Sequence, residues 1–193
     1  MASIVHLENC AAKHLHDFIN PNGLRSFATY DRQGDPAVFG PLDALAPALL
    51  DARLGSKEVN QMFSSDEEND YSKLRVAIEK CLHELASLTD PSGELLDFAN
   101  ADLSGARGPW SLVNACYIAS DSTPNVKVTK VSKMLHRKQP TFIPMIDSRL
   151  ASFYDLSKSK RSKYWTALQA DFRENRKFLD GLGKGITTSE GKP

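Results

Sequence analysis

Thr123-Pro124-Asn125-Val126-Lys127-Val128, followed downstream by Pro140-Thr141-Phe142-Ile143-Pro144-Met145-Ile146-Asp147, decides how this chain is read. Apolar spacing on both sides of the first stretch is helical, so it reads as a tight turn joining two helices. Such a turn offers consecutive backbone N–H groups at the positive end of a helix, a geometry that grips phosphate without reading sequence. Lys127, Lys130 and Lys133 add cationic charge to it. The two prolines of the second stretch bracket an extended apolar segment, and Asp147 opens the next helix 20 residues after Lys127.

Outward from that unit, the charge distribution is uneven. The chain has 193 residues and balances 24 Lys and Arg against 24 Asp and Glu. Residues 124–163 hold 10 of the basic residues and only two acids, Asp147 and Asp155, whereas residues 1–123 hold 9 basic and 18 acidic. A cationic block inside a neutral chain points to a polyanion-binding face, or to a solvated helix surface whose acids lie elsewhere. Ordinary proportions of apolar and charged residues exclude a disordered or collagen-like chain. No apolar run reaches the ~18–20 residues of a membrane span, and the N-terminus lacks the pattern of a secretory signal. Cys10, Cys81 and Cys116 are too few and too scattered for a disulfide framework or a metal knuckle, which fits a reducing cytoplasm. His14 and His16 point apart on a helix, so no metal site is expected.

The periodicity predicts an all-α chain. Helices are expected over 9–18, 41–53 (with Pro47 an awkward guest), 57–63, 71–88, 109–118, 128–136, 148–154 and 162–182, with a weaker one near 91–98. The acidic loop 64–70 caps the 71–88 helix, and residues 24–40 carry turn chemistry with room for a short extended piece. Residues 186–193 read as a frayed end, and no linker divides 1–193, so a single domain is expected.

At these residues the sequence resembles the helix-hairpin-helix DNA glycosylase superfamily. That family's hairpin reads roughly Leu-Pro-Gly-Val-Gly and is followed by a helix, a proline-containing extended stretch, a catalytic Asp and a new helix. Here Thr123–Lys127 occupies the hairpin, and Asp147 has the family's spacing from it. Lys130 to Pro140 with Ile143-Pro144-Met145-Ile146-Asp147 also looks like a poorly characterised bacterial branch. Upstream, Ala48 to Asn60 is similar to the family's helix end whose Gln or Arg wedges into the stack left by a flipped base; Arg53 takes that position, 94 residues before Asp147. The matches cover residues 41–155, with the hairpin and catalytic segment at 109–155.

The resemblance implies a two-lobed helical fold and a monofunctional glycosylase that flips a damaged or modified base out of double-stranded DNA. It would hydrolyse the glycosidic bond and leave an abasic site, in repair or in defence against hypermodified phage DNA. Asp147 would stabilise the oxocarbenium charge and orient water. Asn125, Lys127, Thr129, Lys130, Lys133, Arg137 and Lys138 would meet the DNA backbone, and Tyr30, Asp31 and Trp110 would line a base pocket. Thr129 stands where lyase-active members carry a lysine, so strand cleavage is not expected. The iron–sulfur cysteines are absent, and no cofactor is implied beyond an ion at the hairpin. Both hairpin glycines are replaced, by Asn125 and by Lys127, and lysine tolerates left-handed backbone poorly. That predicts a distorted hairpin, or one that holds phosphate through the lysine.

Each role has a plainer alternative. Asp147 suits a helix N-cap, Arg53 a cation at a helix C-terminus, the lysines a solvated face, and Trp110 the core. The alternatives for the whole chain are a non-catalytic DNA-binding module on the same scaffold and a helical protein-interaction domain whose basic segment meets an acidic partner.

Overall fold

The computed structural model describes residues 30, 34–88, 95–157 and 160–185, and every regular element among them is helical. In chain order these are α1 (Pro41–Leu45), a 3-10 turn (Ala46–Leu50), α2 (Ser56–Met62), α3 (Asp70–Leu88), a second 3-10 turn (Leu95–Asp97), α4 (Asn100–Ser104), α5 (Pro109–Ser122), α6 (Val128–Lys138), α7 (Ser148–Phe153) and α8 (Arg161–Gly185). The helix expected over 9–18 lies outside the described residues. No strand occurs among the described part of 24–40, where Tyr30 is helical and Asp35 accepts from the Ala37 N–H in a tight turn.

Pro47 explains the largest departure from the expected helices. Its ring removes an amide hydrogen and collides with the carbonyl four residues back, so an α-helix through it is strained. The chain changes to 3-10 geometry at Ala46 and ends at Asp51, whose backbone is left-handed (φ 56°). Residues 91–98 carry too few periodic apolar positions for a helix. In the described part, 95–98, a 3-10 turn forms, followed by α4, which the sequence did not signal. Gly108, at φ 87°, turns the chain sharply into Pro109, which opens α5.

α3 lays Tyr71, Leu74, Ile78, Cys81, Leu82 and Leu85 along one stripe, against Val113, Cys116 and Tyr117 of α5. Asn69 holds its start by accepting from the Ser72 N–H at 2.8 Å. Trp110, Tyr117, Phe142 and Trp165 interlock edge to face, and Tyr154 and Tyr164 extend the aromatic cluster. Gln169 of α8 donates to the carbonyls of Leu95 and Phe98, at 2.7 and 2.8 Å, and pins the irregular 95–98 segment to the core.

Three buried tyrosine hydroxyls have pKa values pushed up. Burial is the main cause at Tyr117, Tyr154 and Tyr164; the Asp171 carboxylate that accepts from Tyr154 adds to it there, as does the Asp147 charge at Tyr164. The folded state therefore holds these protons more tightly than an unfolded chain, whose tyrosines ionise near pH ~10. Their contribution is complete below that pH and is lost as pH rises through the folded values. Denaturant midpoints are expected to fall as pH rises past about 10. Among the described residues, Tyr117 also has no hydrogen-bond partner for its buried hydroxyl. Tyr117→Phe is expected to raise stability at neutral pH by about 1 kcal/mol and to flatten the alkaline decline, both read by urea unfolding.

Candidate functional site

The turn between α5 and α6 reaches the surface at Pro124, Asn125 and Lys127, while Thr123 and Val126 are buried beneath it. Thr123 anchors it, its hydroxyl bonded to the carbonyls of Ala119 (2.9 Å) and Asp70 (3.3 Å). Asn125 is left-handed at φ 58°, which asparagine accepts more readily than most residues. Lys127 is extended, at φ −97° and ψ 175°. Of the two positions that the resemblance pairs with glycine, only Asn125 takes the left-handed conformation.

Lys127 is the N-cap residue of α6 and supplies no side-chain cap. The first N–H groups of a helix lack intrahelical partners, so this end is electropositive; Lys127 is exposed there and Val128 and Thr129 are half-buried. The ammonium of Lys127 turns the other way, to the carbonyls of Thr123 (2.9 Å), Asp121 (3.0 Å) and Ser120 (3.4 Å), where it meets the negative end of α5. A carboxylate sits beside the turn: Glu58 of α2 accepts from the Asn125 side chain at 3.4 Å. The Glu58 carboxyl is held below its ordinary range by backbone hydrogen bonding first, then by Asn125 and the Lys130 charge.

Asp147 lies half-buried ahead of α7 and accepts from the Leu150 N–H at 2.8 Å, so it is the N-cap of that helix. Its second carboxylate oxygen makes no hydrogen bond among the described residues. Next to it in the chain, Ile146 is bound to Ser132 of α6: the Ile146 N–H donates to the Ser132 hydroxyl at 2.9 Å. Asp147 is thus tied to the helix that begins at the exposed turn. Thr129 is half-buried on the same helix, and its carbonyl accepts from Ser132.

Two expected DNA contacts require correction. Arg137 and Lys138 are buried, and both bind Asp43 of α1, at 2.9 and 3.0 Å. Arg137 also donates to the Tyr30 carbonyl and lies over the Tyr30 ring. Neither is a solvated cation awaiting phosphate, because the apolar helix α1 brings its one acid inward. Lys133 is likewise engaged, donating to the Leu50 carbonyl at 2.5 Å. The expected pocket residues also move inward. Trp110 packs edge to face against Tyr117 and Trp165 in the core. Tyr30 is fully buried, with its hydroxyl bonded to the Lys133 carbonyl. Asp31 lies outside the described residues.

What remains outward-facing is a smaller set. Arg53 is exposed on the 51–55 loop, which is flanked by Leu50 (bound by Lys133) and Glu58 (bound by Asn125). Lys130 is half-buried near Glu58, and Arg149 and Lys163 are exposed. Sequence reasoning missed Glu58, Ser132 and Asp43. The signals were there: a single acid in the apolar run Pro41–Leu50, and a single hydroxyl on the otherwise apolar face of α6. Among the described residues no cluster of His, Cys, Asp and Glu gathers as a metal site, and no helix is long and apolar enough to cross a membrane.

Residues 11–185 match the sequence model of a family described as "Family of unknown function (DUF6308)". No curated protein and no solved structure matches the chain.

Two variants test this geometry. Asp43→Ala leaves two buried cations without their carboxylate and is expected to cost about 3–5 kcal/mol, measured by urea unfolding. Glu58→Gln removes the negative charge beside the turn. The Glu58 carboxyl is held below its ordinary range, so it contributes stability that is lost as pH falls through the folded value; the variant is expected to flatten that acid-side decline, measured by urea unfolding.

Proposed function

The chain belongs to DUF6308, whose description assigns no activity, and from that premise we propose that it is a monofunctional DNA glycosylase of the helix-hairpin-helix type. On this reading the helices form the two lobes of that fold, and the α5–α6 turn grips the backbone of double-stranded DNA. The observation that carries the reading is one pairing: an uncapped helix start at an exposed turn, with a carboxylate tied through Ser132 to that same helix.

The chemistry follows from this pairing. Breaking a base from its sugar builds positive charge at the sugar carbon, and a carboxylate held close by lowers that barrier. The free oxygen of Asp147 serves that role while the other caps α7. Unstacking the target costs a few kcal/mol, and Arg53, outward on its loop, fills the gap. Backbone amides at the start of α6 hold a phosphate, with Lys130 and Arg149 adding charge; a bound ion at the turn is compatible with the same contacts. Thr129 supplies no amine for a Schiff base, so the product is an intact strand with an abasic site. The protein works without a cofactor, in the cytoplasm, on damaged bases or on the modified bases of foreign DNA.

One observation favours a second reading, a DNA-binding module without catalysis. Asp147 already has a complete structural role as a cap.

Asp147→Asn separates the two, because asparagine caps helices as well as aspartate. Abasic sites are counted with an aldehyde-reactive probe on duplexes carrying deaminated, alkylated, oxidised or hypermodified bases. The enzyme reading expects activity on at least one duplex, and a loss on the order of 10²–10³-fold in the variant with duplex affinity kept. No activity on any duplex, with salt-dependent binding intact, establishes the module instead. With Lys130 and Arg149 as the phosphate contacts, log K is expected to fall with log salt at a slope of roughly −2.

A further inference from the structure

Between Ile143 and α7 the chain runs through Pro144, Met145 and Ile146 without regular structure. Among the described residues, no N–H or C=O group of residues 144–146 pairs with another backbone group. Buried backbone polar groups left alone are costly. Two hydroxyls from different helices meet them here. Ser132 of α6, fully buried, accepts from the Ile146 N–H at 2.9 Å and lies 3.3 Å from the Ile146 carbonyl. Tyr164, in the first turn of α8 and 1% exposed, donates to the Met145 carbonyl at 2.8 Å.

Ser132 has one proton, and two carbonyls compete for it: Thr129 at 3.1 Å within its own helix, and Ile146 across the gap. Its accepting bond from Ile146 is the shorter contact and has no such competitor. A serine facing an apolar neighbour would need only the bond within its helix. This one lies opposite the residue that precedes Asp147.

We infer that Ser132 and Tyr164 are positioning residues for Asp147. They fix the backbone that presents its carboxylate, and so set where that carboxylate stands relative to a bound sugar. This rests on the glycosylase reading for its catalytic consequence, though not for its geometry. Reacting groups must be held to a fraction of an ångström, and a displacement of about 1 Å can cost on the order of a hundredfold in rate. Asp147 is fixed on its far side by the Leu150 cap, and on its near side by these two hydroxyls.

The test has two arms, one independent of activity. Amide hydrogen exchange is followed by NMR in the native protein, Ser132→Ala, Ser132→Thr and Tyr164→Phe. Ser132→Ala is expected to speed exchange about tenfold at Ile146, and also at Leu150, whose amide reports the Asp147 cap. Amides of the α3–α5 interface stay protected. Tyr164→Phe, which deletes one hydroxyl and no volume, gives the same pattern more weakly, and Ser132→Thr restores it by returning the hydroxyl. Faster exchange at Ile146 with Leu150 unchanged in both deletions overturns the inference, because the carboxylate would then stand independently of both.

In the second arm, kcat and KM for abasic-site formation are measured on the duplexes above. Both deletions are expected to lower kcat about tenfold or more with KM unchanged. If Asp147→Asn abolishes activity while both deletions keep full kcat, the positioning role is wrong and the glycosylase reading stands. If native protein acts on no duplex while Leu150 still responds, the glycosylase reading fails and the geometric coupling stands.

Discussion

The Asp43 carboxylate, sealed from water between Arg137 and Lys138, is the contact on which the arrangement of this chain depends. A buried ion pair contributes little net stability, yet removing one partner is severely destabilising. What it supplies here is placement. It locks α1 to the C-terminal end of α6, while Lys133 reaches the Leu50 carbonyl one turn earlier on that helix. The loop bearing Arg53 follows directly from Leu50, and Asn125 binds Glu58 just beyond it. α6 therefore sets three things at once: the position of the upstream loop, the opening of the surface turn, and, through Ser132, the backbone before Asp147.

The same contacts resolve the uneven charge. Arg161 forms a bidentate pair with Asp121, Lys160 pairs with Asp155, and Lys127 closes the end of α5. Arg137, Lys138 and Arg161 answer Asp43 and Asp121 of the acidic first two thirds, Lys127 and Lys133 answer carbonyls there, and Lys160 pairs with Asp155 inside the block itself. A count of charges along a chain carries no information about which are desolvated, and desolvation decides whether a lysine meets a phosphate or an aspartate.

That difference marks what could be read from the sequence. The helices were legible wherever an apolar stripe ran for several turns, as in α3, or a proline opened one, as in α5. They were illegible where one residue overrode the stripe, as Pro47 does, or where tertiary bonds hold a turn, as Gln169 does at 95–98. At the candidate site, Asp147 stood out by its place at a helix start behind two prolines, and the turn by its Pro-Asn pair. For Trp110 and Tyr30 packing was the plainer reading and a base pocket the sharper one, because an aromatic ring serves either, and the structure puts both in the interior. Ser132 left one trace, a lone hydroxyl on the inner face of α6, whereas Tyr164 bonds a backbone carbonyl on another segment, a contact that residue spacing does not record.

The lock between α1 and α6 also sets an order on how the chain becomes native during synthesis. Asp43 leaves the ribosome 94 residues before Arg137, which it must bind. At ~5–20 residues per second that interval lasts on the order of 5–20 s. Throughout it, α1 carries a carboxylate that cannot enter an apolar interior. Docking of α1 on α6 therefore waits for Arg137 and Lys138, and the Asp43 carboxylate stays hydrated until they emerge.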